Sequence, residues 1–155
     1  MTSPTPSPDR PSEADKAALF DAIATEHAAI YGYGIVSAHT SWDENDLVSA
    51  ALAQHRERRE AAIAMLTEQS VKAPLPAVGY QLPFTVANPA DAGKLAVRME
   101  NDCAVAWRAV IEQATAEQDR AFGVTALTDS AVLAARWNQV IGAWPVTVAF
   151  PGGSE

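Results

Sequence analysis

Glu26, His55, Arg59 and Glu100 fall at helical spacing among apolar neighbours, each near the middle of its segment. A buried charge is costly unless it is paired or bound to metal, so each of them needs a partner. Inward-facing carboxylates and histidines on neighbouring helices can hold two metal ions. That arrangement takes a Glu from each of two helices and Glu-x-x-His from each of the other two. Glu26 and Glu100 supply the single carboxylates. His55 supplies one histidine, but Leu52 stands where its bridging Glu belongs. The last helical segment has no histidine, and Ser130 or Leu133 occupies the equivalent region. Arg59 adds a permanent positive charge, which disfavours a second cation and can itself partner two carboxylates. The residues point to a buried polar network in which Arg59 bridges Glu26 and Glu100 and His55 bonds one carboxylate. No metal or other cofactor is expected, and no catalytic residue. The alternative is one Fe or Mn ion held by Glu26, His55 and Glu100, with His27 as a further ligand.

Four helices must position these residues. The first should run from about Ala14 to Ala38, where Leu19, Ile23, Glu26, Ile30 and Tyr33 recur at three and four. Ser41 and Glu44 form an S-x-x-E capping box opening a second helix, Trp42 to Gln69. Its stripe is Val48, Leu52, His55, Arg59, Ala62 and Leu66. Pro74, Pro76 and Pro83 exclude a helix over 70–88. Asn88 is a good N-cap, with Pro89 at the first helical position, for a third helix reaching Ala114. Its stripe includes Ala96, Met99, Glu100, Cys103, Trp107 and Val110. Thr115 and Gln118 suggest a second capping box, with a fourth helix running to Ala143 and a kink near Gly123. Its stripe is Leu127, Ser130, Ala134, Trp137, Ile141 and Trp144. The alternative boundary carries helix three to Phe122 and starts helix four near Asp129.

The connections are short, long and short. Fully extended, the long one reaches roughly 60 Å, and a helix of about 25 residues is roughly 38 Å long, so it can travel the whole bundle. Two hairpins joined by one crossover make the ferritin-like four-helix topology rather than simple up-down-up-down. Residues 1–12 are Ser/Pro/Thr-rich and read as a disordered tail, leaving 13–155 as one domain. In the last stretch, Val146, Val148 and Phe150 should lie against the bundle or a second subunit.

Composition narrows the function classes. The 155 residues suit one domain, and the net charge of −8 argues against a nucleic-acid partner. Cys103 is the only cysteine, which rules out a disulfide framework and suits a small buried residue. No apolar run spans a membrane and the first residues lack a signal-peptide core, so a cytoplasmic protein is the simplest reading. Trp107, Trp137 and Trp144 read first as core or interface. His27, Tyr31, Trp107 and Trp137 mark a candidate small-molecule pocket between helices. Spare tryptophans and the apolar tail offer surface for a homodimer, the commonest kind of oligomer.

Several segments carry a resemblance. ATEHAAIYGYG, the H-x-x-R-R-E of His55 to Glu60, AVGYQLPF, MENDCAVAW, AARWNQ and VAFPG are similar, in order and spacing, to an actinobacterial family of ferritin-like domains of unknown function. The resemblance covers roughly residues 14–152. It implies a four-helix ferritin-like fold and no particular activity. Ferritin-like proteins more widely bind iron or manganese, but Leu52 and the fourth helix depart from that pattern, so iron chemistry is not inherited.

Overall fold

The computed structural model describes residues 6–153 as four helices with no strand among them. They are α1 (Ala14–His39), α2 (Asn45–Glu68), α3 (Pro89–Gln113) and α4 (Glu117–Val140). Among the described residues no helix is long and apolar enough to cross a membrane.

Local chemistry sets the ends. Asn88 caps α3, its side chain accepting from the Asp91 N–H at 2.9 Å, and Pro89 opens the first turn. At the end of α1, His39 Nδ1 meets the Ile35 carbonyl at 2.9 Å, satisfying one of the last acceptors of the helix. Neither expected capping box forms. Ser41 bonds the Glu44 side chain instead of a backbone donor, and Trp42–Glu44 is a separate 3₁₀ turn before α2. Thr115 reaches across to Asp15 at 3.2 Å, so α4 starts at Glu117 without a side-chain cap. Ser41 is lost to its helix end through a local side-chain partner, and Thr115 through a tertiary one. The alternative in which α3 continues to Phe122 is excluded, because Ala114 has extended backbone (φ −59°, ψ 129°). α4 runs unbroken through Gly123, stops at Val140, and leaves Trp144 almost wholly exposed beyond it.

The core lies where α1 meets α2 and α3, and where α3 meets α4. α2 and α4 barely touch. Ile23, Tyr33, Val36, Leu66, Leu95, Trp107 and Trp137 are its largest fully buried side chains of apolar or aromatic type. Bare backbone at Gly123 lets α4 come close to α3, since a Cβ there would meet Ile111 Cγ1 at 2.9 Å and the Trp107 carbonyl at 3.4 Å.

Residues 69–88 join α2 to α3 without helix or strand. Their contacts are specific. His27 Nε2 meets the Pro74 carbonyl at 3.0 Å, and the Tyr31 and Tyr80 rings pack at 5.2 Å. Of the amino-terminal tail, residues 1–5 lie outside the described residues. Residues 6–12 precede any helix, but Arg10 grips Asp21 through Nε and Nη2, and Ser7 accepts from the Leu75 N–H.

The Asn88 cap is the one side-chain N-cap on the four helices and is open to solvent, so it can be tested alone. Asn88→Ala should lower stability by about 1 kcal/mol, read as a fall of roughly 2–4 °C in Tm by circular dichroism. An unchanged Tm would show that the cap does not hold α3.

Candidate functional site

Each helix places polar side chains on its inward stripe. Glu26 and Tyr33 come from α1, His55 and Arg58 from α2, Glu100 and Trp107 from α3, and Ser130 and Trp137 from α4. Seven residues separate the pairs on α1, α3 and α4. Seven is close to two turns, so both members of a pair face the same way. Glu26, His55, Glu100, Ser130, Tyr33, Trp107 and Trp137 are completely buried.

The bonds form two layers joined by one imidazole. In the first, Glu26 Oε1 accepts from Trp107 Nε1 at 2.7 Å and from Arg58 Nη1 at 3.1 Å, and the same Nη1 donates to Ser130 Oγ at 3.0 Å. In the second, Trp137 Nε1 donates to the Tyr33 hydroxyl at 3.0 Å, and that hydroxyl donates to Glu100 Oε1 at 2.5 Å. His55 spans them, with Nδ1 2.6 Å from Glu26 Oε2 and Nε2 2.9 Å from Glu100 Oε1.

This geometry decides the state of His55. A carboxylate oxygen only accepts, so a ring with a carboxylate at each nitrogen is held doubly protonated. Burial opposes the charge, but the bonds and charges of Glu100 and Glu26 outweigh it and raise the pKa from 6.5 to about 9. Glu26 shows the mirror balance. Burial pushes its carboxyl up, yet His55, Arg58 and Trp107 together hold it below the ordinary value. Two carboxylates thus face two cations, and the cluster is neutral as a whole. Burial, with Glu26 and Glu100, pushes the Cys103 thiol well above its usual value, and burial with Glu100 does the same to the Tyr33 hydroxyl. Both stay protonated, so neither is a ready nucleophile.

The network has a different arginine from the one the spacing predicts. Glu26, His55 and Glu100 come together with Arg58. Arg59 sits on the flank of α2, with Nη2 2.7 Å from Glu60 Oε1. From His55, steps of three and four both stay near one helix face, so periodicity admits either residue. The rotation of α2 against α1 and α4 selects Ala51 and Arg58 for the interior and leaves Leu52 and Arg59 half-buried. Tyr33, Trp107 and Ser130 are further members. Their polar tips could be inferred only from the seven-residue spacing that puts Tyr33 in phase with Glu26 and Trp107 with Glu100.

The four residues suggested for a small-molecule pocket do not meet around one cavity. Trp107 and Trp137 spend their N–H groups inside the network, and His27 holds Pro74. Tyr31 is part-exposed and lines a separate cavity of about 140 Å³ with Tyr80, Leu82 and Met99.

A di-metal centre does not fit these side chains. Leu52 stands in place of a bridging carboxylate, Ser130 represents α4, and the permanent cation Arg58 bonds Glu26 Oε1. For one ion, donor atoms of Glu26, His55 and Cys103 lie within 4.8 Å of one another. The remaining carboxylate oxygen, Glu100 Oε2, has no hydrogen-bond partner among the described residues.

The class is therefore an all-helical four-helix bundle with a buried, charge-balanced polar layer. The chain belongs to the family described as Domain of unknown function (DUF4439), whose model matches residues 18–155. It is similar to a solved structure described as a conserved hypothetical protein, rv2844, from Mycobacterium tuberculosis. The two share 59% identity with a TM-score of 0.82, over 84% of this chain and 98% of that one. No curated protein matches the chain.

Arg58→Ala should destabilise the fold by roughly 3–5 kcal/mol, because it strands a buried carboxylate. Arg59→Ala should change it by at most ~1 kcal/mol, as for other exposed pairs. Urea unfolding of both variants checks this, and the reverse order would contradict the geometry. His55 also sets a pH dependence. Its folded pKa lies above its unfolded value, so its contribution is complete below about pH 6.5 and is lost as pH rises through about 9. At ~1.4 kcal/mol per pH unit this amounts to roughly 3 kcal/mol. Glu26 acts oppositely, its contribution fading as pH falls below about 4.5. Tm should thus decline between pH 6.5 and 9 in the wild type and much less in His55→Gln; parallel profiles would refute the assignment.

Proposed function

We propose that this is a ferritin-like bundle in which a buried ion network replaces the metal centre, and that it acts by binding rather than catalysis. The observation that carries the reading is Arg58 Nη1 shared between Glu26 and Ser130. A fixed cation there neutralises the carboxylate that a metal would otherwise use. His55 supplies the second positive charge.

The helix directions support the ferritin-like topology. Glu26 bonds Trp107 while Tyr33 bonds Glu100, a reversed order that makes α1 and α3 antiparallel. Tyr33 bonds Trp137, and Glu26 shares Arg58 with Ser130, an order that makes α1 and α4 parallel. The short 40–44 link turns α2 back along α1. On this reading α2 and α3 run the same way, and 69–88 is the crossover. Its contacts climb α1 from His27 to Tyr31.

Protonation supports binding over chemistry. His55 is locked as a donor between two carboxylates, and Cys103 and Tyr33 hold their protons, so none of these three is poised to accept one. A homodimer is the partner we favour. Trp144 and Phe150 are largely exposed, and a groove of about 500 Å³ lies between α4 and the carboxy-terminal segment, lined in part by Leu127, Val132, Val146 and Val148. The single cysteine and the acidic composition suit a cytoplasmic protein without a nucleic-acid partner.

A second reading, one Fe or Mn ion at Glu26 and His55 with Cys103 or Glu100, is favoured by the closeness of those donors. Binding there must first remove a proton from His55, whose pKa is about 9, and any use of Cys103 removes another from a thiol pushed well up. Elemental analysis of untagged protein, before and after incubation with Fe(II) and Mn(II), separates the two. We expect no stoichiometric metal, with Glu26→Ala and Glu100→Ala lowering Tm. Near-stoichiometric metal that disappears in both variants would establish the second reading instead.

A further inference from the structure

The loose seam between α2 and α4 opens directly over the buried network. It holds a groove of about 240 Å³, lined by Gln54, Glu57, Arg58, Phe122, Thr125 and Asp129, with Ala61 and Ala126 below. That is under the usual size of a site for drug-like molecules, so any occupant is small.

Arg58 is the informative member. Only 5% of it is exposed, and Nη1 is committed to Glu26 and Ser130. Nη2 is buried with no hydrogen-bond partner among the described residues. The nearest acid, Asp129 Oδ2, lies at 3.9 Å, beyond hydrogen-bond reach. A buried guanidinium nitrogen left unpaired is expensive, so the groove lacks an acceptor at this point. The Nε–Nη2 edge is also the edge of the fork that grips a carboxylate bidentately. Asp129, more than a third exposed, lines the groove with Oδ2 3.9 Å from Nη2.

Charge narrows the ligand further. Glu26, Glu100, His55 and Arg58 already sum to zero. Glu57 and Asp129 add two negative charges at the rim. A simple anion would bring a third negative charge into a low-dielectric cleft. A simple amine would satisfy the rim and leave Nη2 unpaired. A molecule with a carboxylate at one end and an ammonium at the other answers both demands. Phe122, Ala61 and Ala126 leave an apolar wall for an aliphatic side chain.

We propose that the α2–α4 groove binds a small zwitterion of the α-amino-acid class, its carboxylate on Arg58 and its ammonium between Asp129 and Glu57. The proposal rests on the binding reading above and names the ligand class for it. Phe122 also packs at a tilt against Trp107 at a centroid distance of 5.3 Å, so an occupied groove touches the wall of the buried network.

The test is calorimetric titration of the full chain with L-leucine, L-leucinamide, 4-methylpentanoate and isopentylamine. L-Leucine should bind saturably. The amide, the acid and the amine each lack one charge of the zwitterion, or carry the wrong balance, and should bind at least tenfold more weakly. Asp129→Asn is at the rim, where folding is not at stake, and should weaken L-leucine about tenfold while leaving the helical circular-dichroism signal unchanged. Three results would each overturn the proposal: no saturable binding of L-leucine, equal binding of 4-methylpentanoate, or an Asp129→Asn variant that binds L-leucine as the wild type does. Failure here is separable from failure of the metal-free reading. A metal-loaded chain that takes L-leucine would remove only the latter, and a metal-free chain that ignores L-leucine would remove only the former.

Discussion

The Glu26 carboxylate, fully buried in the middle of α1, is the constraint around which the bundle is arranged. It cannot be tolerated in an apolar interior without donors. It receives them from Trp107, Arg58 and His55, contributed by two other helices. Each donor then imposes its own demand. Arg58 needs Ser130 on α4, and His55 carries a charge that needs Glu100 on α3. Glu100 in turn takes a proton donor from Tyr33, which accepts from Trp137. One buried charge thus fixes the register of four helices. Such a network is weak evidence for net stability compared with a packed apolar core, but it penalises any sliding or rotation that would break it.

The same constraint sets the protonation of the centre. Most of the oxygen and nitrogen atoms that could serve as ligands or bases are committed to one another. Positive charge comes from an arginine that never loses its proton and from a histidine whose proton is held by two carboxylates. Neutrality is reached within the chain itself. Among the described residues, the polar atoms of the cluster that stay unpartnered are Arg58 Nη2 and Glu100 Oε2. The first of these borders the one seam where two helices fail to pack closely. Chemistry between the bundle and an outside molecule is therefore expected at the α2–α4 seam rather than at the centre.

The helical frame was written in local sequence. Ala-rich segments with apolar residues at three and four, the prolines at 74, 76 and 83, and the Asn88–Pro89 start are short-range signals, and each agrees with the observed helices and the irregular 69–88 connection. Capping was less legible. Ser41 and Thr115 match the capping pattern, but each bonds a side chain instead of a helix N–H; for Thr115 that partner, Asp15, lies a hundred residues away and outside any local window. Likewise Trp144 fits the period of α4 while lying past its end.

The buried polar positions Glu26, His55 and Glu100 were legible because a charged residue inside an apolar stripe stands out along one helix. Arg58 was not, because a helix of period 3.6 puts residues three and four beyond His55 on almost the same face. The sequence by itself determined the number of helices, their approximate limits, and which carboxylates and histidine face inward. The tertiary structure alone decided how far α2 is turned about its axis, and with it that Arg58 is inside and Arg59 outside. That angle is set by the fit of α2 against α1 and by the reach of a guanidinium to Glu26 and Ser130 at once, a condition involving three helices that no single helix can express.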